Sequence, residues 1–336
     1  MSKNAAQKSM TDAATTDDVA RQYPVRITPH IEGLIEKHGP DSAIGRQYLP
    51  DIRELSTAPD ESPDPTGDHP HTPVPGIVHR HADRVLLKPL HACAVYCRFC
   101  FRRDMVGPGK DVLDEAAMDK AIAYIENNEN IWEVILTGGD PLLLSPRRLA
   151  TLLQRIEKID HVQVLRIHSR VPVADPARVT DELSKAMDIQ KPLYVIVHIN
   201  HADEITGEVE AAWAQMRTAG CTLLSQSVLL RGVNDNADVL ERLFRRLVTL
   251  RVKPYYLHHP DKAEGTGHFR LPVSTGQVLM NELRGRLSGL CLPTYVLDIP
   301  GGHSKVPVGP SYIMTDENGD VHISDTRGVW YPYAAE

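Results

Sequence analysis

Three of the chain's five cysteines fall within eight residues, Cys93-Ala94-Val95-Tyr96-Cys97-Arg98-Phe99-Cys100. The spacing Cys-x3-Cys-x2-Cys places three thiols on one loop. Thiolates are the ligands of iron–sulfur clusters, and three of them satisfy three irons of a [4Fe–4S] cube while one iron stays open for another ligand. A closed structural zinc site takes four protein ligands, so a zinc or purely structural cysteine set would need a fourth that the loop does not supply.

Further along, other residues could complete a site. Thr137-Gly138-Gly139-Asp140-Pro141 follows an apolar run: two glycines allow close backbone approach to a ligand, and Asp140 can accept from its polar groups. A tight turn between strand and helix explains the same residues. Two more apolar runs end in polar clusters, Arg166-Ile167-His168-Ser169-Arg170 and His198-Ile199-Asn200-His201. Near the C-terminus lies Leu297-Asp298-Ile299-Pro300-Gly301-Gly302-His303-Ser304-Lys305. This is not a Walker phosphate loop, which needs Gly-Lys-Ser/Thr in order. A lysine on a glycine-rich turn can instead react with pyridoxal phosphate (PLP), although loop lysines are more often simply solvated.

These groups need elements to hold them. The runs Val85–Leu90, Glu133–Leu136, Val162–Ile167, Leu193–Ile199, Thr222–Leu229 and Val252–Leu257 read as strands, recurring about every 30 residues. Between them Ala116–Glu126, Pro146–Ile156, Thr180–Met187, Val209–Ala219 and Val239–Leu250 are amphipathic. The alternation predicts an α/β fold, a partial (β/α)6 barrel whose chemistry lies at the C-terminal strand ends. The cysteine loop follows the first strand, as that geometry requires. Residues 1–78 read as a small helical extension, around Ile31, Leu34 and Ile35, and then a linker; residues 1–20 are polar and of doubtful order. Ser56 to Pro75 holds six prolines and is expected to drape over the surface. Residues 79–300 form the barrel, and 301–336 a lysine-bearing loop and tail.

Composition sets limits. With 336 residues, 42% hydrophobic and 24% charged, the chain has the make-up of a soluble globular protein. A formal charge of -7 argues against nucleic acid as the main partner. No apolar stretch suits a membrane span or a secretory signal, so a cytoplasmic enzyme is expected, and clustered thiols suit a reducing compartment.

With Phe99 before the third cysteine, the cysteine loop resembles the radical S-adenosylmethionine (SAM) superfamily, in which SAM's amino and carboxylate groups chelate the open iron. From about His79 to Pro310 the blocks 93–103, 137–143, 167–172, 198–206, 226–236, 254–261 and 298–307 are similar, in order, to the lysine 2,3-aminomutase family of PLP-dependent radical SAM enzymes. The resemblance implies roles. Cys93, Cys97 and Cys100 would hold the cluster; Gly138, Gly139 and Asp140 would hold SAM's amino group, and Ser169 and His198 would also bind cofactor. Lys305 would carry PLP, with Arg80, Arg84 and Gln226 around its phosphate. Arg102 would receive the substrate carboxylate, and Asp261 and Asp298 the distal ammonium of lysine. Two departures stand out: His81 replaces the aromatic residue common between the two PLP arginines, and Asn236 stands where longer members have a zinc-binding cysteine, so no zinc is expected.

The implied reaction interconverts L-lysine and β-lysine. A 5′-deoxyadenosyl radical takes hydrogen from Cβ while PLP carries the amino group from Cα. The implied partners are the amino acid and a reductant such as flavodoxin or ferredoxin, with a homo-oligomer possible. Parts of the chain, including Cys97–Arg103 and Tyr256-Leu257-His258, resemble the branch serving elongation factor P. Arginine or glutamate as substrate are rival readings. Non-enzymatic sensing or electron transfer by an iron–sulfur protein is a rival of another class.

Overall fold

The computed structural model describes residues 14–107 and 112–333. Three helices precede the sheet: α1 (Thr16–Gln22), α2 (Pro29–His38) and α3 (Gly45–Tyr48). The expectation of doubtful order over residues 1–20 is corrected for its last part, and residues 1–13 lie outside the described residues. Thr15 caps α1 reciprocally with Asp18, satisfying the first free N–H groups of the helix.

The strand and helix expectations are met within a few residues at each boundary. β1 (Ile77–His81) and β2 (Arg84–Leu90) form an antiparallel hairpin. From β2 onward the chain alternates: α4 (Glu115–Glu126), β3 (Glu133–Gly138), α5 (Pro146–Glu157), β4 (Val164–Ser169), the short α6 (Val171–Ala174) and α7 (Asp181–Ala186). It continues with β5 (Leu193–His198), α8 (Gly207–Thr218), β6 (Thr222–Val228), α9 (Ala237–Thr249), β7 (Lys253–His258), α10 (Val273–Arg286) and β8 (Thr294–Ile299). The strands lie in chain order and curl into a half-barrel, parallel from β2 to β8. Six βα units are thus followed by a seventh parallel strand, β8. An antiparallel strand, β9 (Ser304–Pro307), closes that edge.

Side chains alternate along each strand. Val85, Leu87, Val134, Leu136, Leu165 and Ile167 point under the helices and form the core with Leu149, Leu152, Leu153 and Ile156 of α5. α9 adds Leu240, Leu243, Phe244 and Leu247 at helical spacing. Asn236, the position of the zinc departure, here caps α9: its Oδ1 accepts from the N–H of Asp238 at 2.8 Å. The opposite parity turns Arg84, Lys88, Glu133, Arg166, His168, His198 and Gln226 inward, which gives the half-barrel a polar lumen. Arg166 donates to Glu133 of the neighbouring strand, Nε to Oε1 at 2.8 Å.

The proline-rich segment is not a surface linker. Pro65, Thr66, Gly67 and Asp68 are buried, because the segment crosses the barrel mouth as a strap. Ser62 N–H donates to Lys262 O at 2.8 Å after β7, Gly301 N–H to Pro65 O after β8, and Arg80 of β1 to Thr66 O. Proline suits such a segment, since it needs a fixed extended path and few donated backbone bonds. Beyond β9, β10 (Ile313–Thr315), β11 (Val321–Ser324) and β12 (Trp330–Pro332) make a small separate antiparallel sheet. It leans on α10 through the Tyr312 hydroxyl, which donates to Asn281 Oδ1 at 2.9 Å. No helix among the described residues is long and apolar enough to cross a membrane.

Candidate active site

The cysteine loop leaves β2 at the C-terminal end of the sheet and is fastened on two sides. Asp140 N–H donates to Ala92 O at 2.8 Å and Gly139 N–H to Leu90 O at 2.8 Å. Gly139 lies so close to the loop that a Cβ there would stand 2.2 Å from Ala92 O. From the N-terminal extension, Gln47 O accepts from Arg98 N–H at 2.9 Å and Arg26 O from Tyr96 N–H at 3.0 Å. The buried Arg98 guanidinium donates to Glu54, Nε to Oε1 at 2.9 Å, and Arg103 donates to the same carboxylate. The helical extension is therefore the outer wall of this loop.

Burial pushes all three thiols upward, Cys97 to about 11. Cys97 and Cys100 are tied by a backbone turn, Cys100 N–H donating to Cys97 O at 3.1 Å, and the Asp140, Cys100 and Cys97 charges add to the upward push on Cys93. Among the described residues no three His, Cys, Asp or Glu side chains converge on the position of a single metal ion. Three thiols on one loop that burial makes costly to ionise alone fit a cationic group such as a [4Fe–4S] core.

Asp140 is buried beneath the loop, and both of its oxygens are taken by protein donors. Oδ1 accepts from Ser169 Oγ at 2.7 Å and Leu142 N–H at 3.1 Å; Oδ2 accepts from Arg170 N–H at 2.7 Å and Val171 N–H at 3.0 Å. Asp140 and Ser169 thus tie the turn after β3 to the turn after β4. The groups left free to face a ligand are others. Among the described residues His168 Nε2, His198 Nε2 and His258 Nε2 are buried without a hydrogen-bond partner. His168 and His198 meet edge to face at 5.7 Å between centroids, and burial holds all three imidazoles neutral, His198 at about 4. Buried unpaired nitrogens are costly, so their convergence in the lumen fits bound cofactors and substrate. Gln226 is the register partner of His198.

Opposite the cysteine loop, Pro300–His303 turns the chain from β8 into β9. Gly301 and Gly302 have φ of 85° and 81°, a left-handed pair that glycine adopts without strain. The hairpin register sets Asp298 directly across from Lys305. Lys305 Nζ donates to Asp298 Oδ2 and lies 3.3 Å from His258 Nδ1. Asp261 stands close by: burial and the Asp298 charge push its carboxyl up to about 7, against the pull of Lys305. Lys305 is thus held at the edge of the lumen by groups that leave its side chain 27% exposed, an arrangement that fits a lysine bearing PLP.

Arg102 extends from the end of the cysteine loop toward the strap, where its Nε donates to Asp68 Oδ2 at 3.0 Å. Arg80 approaches the same carboxylate at 3.9 Å. Arg84, inward from β2, is half-exposed and pairs with Asp83 at 2.8 Å. The structure thus brings Lys305 together with Asp298 and His258, and sets Gln226 beside His198, while Arg84 lies apart at the start of β2. Sequence reasoning missed Asp68 and Lys88. A lysine at an inward position of an otherwise apolar strand was the available signal for Lys88; Asp68 had none.

Comparison with known proteins agrees with this geometry. Residues 87–243 match the model of the radical SAM superfamily, and residues 280–335 match that of lysine-2,3-aminomutase. The L-lysine 2,3-aminomutase of Clostridium subterminale is 41% identical over 308 residues, covering 92% of this chain and 74% of that one. A putative L-lysine 2,3-aminomutase of Aquifex aeolicus is 39% identical, covering 92% and 86%. The glutamate 2,3-aminomutase of Clostridioides difficile is 35% identical, covering 93% and 74%.

Proposed function

The chain belongs to the lysine 2,3-aminomutase family of radical SAM enzymes, and from that premise we propose that it interconverts L-lysine and β-lysine. It is an isomerase family whose members use a [4Fe–4S] cluster, SAM and PLP. The observation that carries the choice of lysine is the acidic pair Asp261 and Asp298 at the lumen's edge. A distal ammonium leaving water needs anionic partners, while a glutamate side chain would bring a further negative charge to this acidic pair and be disfavoured.

When bound, the reduced cluster and SAM supply a carbon-centred radical, and PLP carries the migrating amino group. The protein's part is positional. Cys93, Cys97 and Cys100 hold the cluster. Lys305 would hold PLP, and Arg80, Arg84 and Gln226 would serve its phosphate, a group that suits guanidinium donors. Arg102 orients the substrate carboxylate. Asp298 serves two partners: it holds Nζ of Lys305, so its availability to substrate depends on the state of that lysine. The neutral His168, His198 and His258 line the lumen without adding charge, and the strap shields it from water. We further assign the enzyme to the cytoplasm, fed by a reductant such as flavodoxin or ferredoxin.

The test is anaerobic reconstitution with iron, sulfide, SAM, PLP and a reductant, given lysine, arginine and glutamate in parallel. Mass-spectrometric separation of α- and β-isomers should show β-lysine as the main product. Equal or better conversion of arginine would overturn the lysine reading and leave the aminomutase chemistry standing.

A further inference from the structure

Lys88 is a buried cation with no assigned purpose. It is 6% exposed, inward-facing on β2, and its stem packs so closely on the turn after β3 that a Cβ at Gly138 would lie 2.9 Å from Lys88 Cβ. Among the described residues its Nζ makes no hydrogen bond: the nearest carboxylate oxygen, Asp68 Oδ2, is 3.9 Å away. Burying an ammonium without acceptors is costly, and here a counter-ion is present but out of hydrogen-bonding reach. That same counter-ion is shared. Asp68, 1% exposed, lies 3.0 Å from Arg102 and 3.9 Å from Arg80, and it is the one carboxylate within 4 Å of all three cations among the described residues. Asp64, the next acid on the strap, has its oxygens turned to the N–H groups of Asp68 and His69.

The cations thus outnumber their common anion. Arg102 spends Nε on Asp68 and Nη1 on Thr137 Oγ1 at 3.5 Å, with Phe101 against its face, so a second anion entering beside Asp68 would complete Lys88 and take Arg102 Nη2, which makes no hydrogen bond among the described residues. Resting on the reading of Arg102 as the carboxylate receptor, we infer that Lys88 and Arg102 together bind the substrate's α-carboxylate, with Asp68 as their resting counter-ion. The pocket would then demand a free α-carboxylate: an amide in its place leaves the Lys88 ammonium unmatched.

The test separates this anion from the other two in the lumen. L-lysine and L-lysinamide are titrated into PLP-loaded protein without SAM, so that nothing turns over, and binding is followed by the cofactor's visible absorbance. In Lys88→Met, lysine should bind roughly tenfold to a hundredfold more weakly, the loss of one charge-assisted hydrogen bond. Lysinamide binding should change by less than about twofold, and Lys88→Arg should recover part of the lysine affinity. The affinities for PLP alone and for SAM alone should be unchanged. Equal weakening of lysine and lysinamide, or a loss confined to PLP or to SAM, overturns the inference and gives Lys88 to the fold, the phosphate or the SAM carboxylate respectively. Should Lys88→Met fail to fold, Lys88→Gln is put through the same comparison. If the unaltered protein ignores lysine but binds another α-amino acid, the lysine reading fails while Lys88 is tested on that acid and its amide.

Discussion

Asp261 is the residue on which pH and substrate choice meet. Its carboxyl, raised from 3.8 to about 7 by burial and by Asp298, is neutral below that value. The unfolded chain ionises earlier, so between those two values the folded state binds more protons, and this group's contribution to stability is lost as pH rises toward 7. Asp261→Asn should therefore flatten the fall in unfolding free energy across that window, measured by denaturant titration. Lysine binding runs the other way. The ammonium favours the ionised acid, so lysine affinity should rise with pH by up to about tenfold per unit until it levels near 7, and Asp261→Asn should remove the slope. Asp261→Ala should cost lysine turnover about 2–5 kcal/mol in kcat/KM, as for truncated buried charge pairs, while SAM cleavage that does not need lysine survives. Residues of this kind were legible in the sequence because few residue types do their chemistry: three close thiols and one lysine on a glycine turn. Lys88 was hidden inside an apolar run, and the Asp298–Lys305 pair was invisible until β8 and β9 were seen as a hairpin, since register follows from the fold.

At the scale of elements, the helical extension earns its place through one buried network. Arg170, at the end of β4, donates to Tyr48 Oη at 2.8 Å, Gln47 Oε1 at 2.7 Å and Glu204 Oε2 at 2.7 Å. Glu204 also accepts from Asn200 N–H and His201 N–H, each at 2.9 Å. α3 is thereby fastened to the turns after β4 and β5, and through Gln47 O to the cysteine loop. Arg170→Met should lower stability by about 3–5 kcal/mol, because it leaves Glu204 charged and buried, and Glu204→Gln on top should restore part of it. Chemical unfolding measures both. The βα units were readable beforehand since their periodicity is local. The strap was not: prolines, acids and histidines have the same composition in a surface linker as in a segment buried by contacts from residues 200 positions away.

The whole molecule sets its two stations far apart in the sheet. The cysteine loop follows β2 and Lys305 rides on β9, so seven intervening steps of strand pairing and curl decide their separation. Small changes of twist between neighbouring strands accumulate across such a sheet, and an open half-barrel has no closing strand to absorb them. The strap spans the gap instead. Gly67 packs against Gly301, where a Cβ would stand 2.5 Å from the Gly301 carbonyl carbon, while Asp68 grips Arg102 beside the cluster loop. Inserting two glycines between Pro63 and Asp64 should leave cluster content and PLP loading intact but raise the number of SAM molecules cleaved per β-lysine formed. An unchanged ratio would show that the sheet alone fixes the spacing.

The strap therefore works as a tie rod in a structure whose tolerances would otherwise add up strand by strand. Its stiffness, which the six prolines supply, is then a dimension of the catalyst. A species that lengthened this segment would have to retune the curl of the entire sheet to keep a short-lived radical within reach of its target.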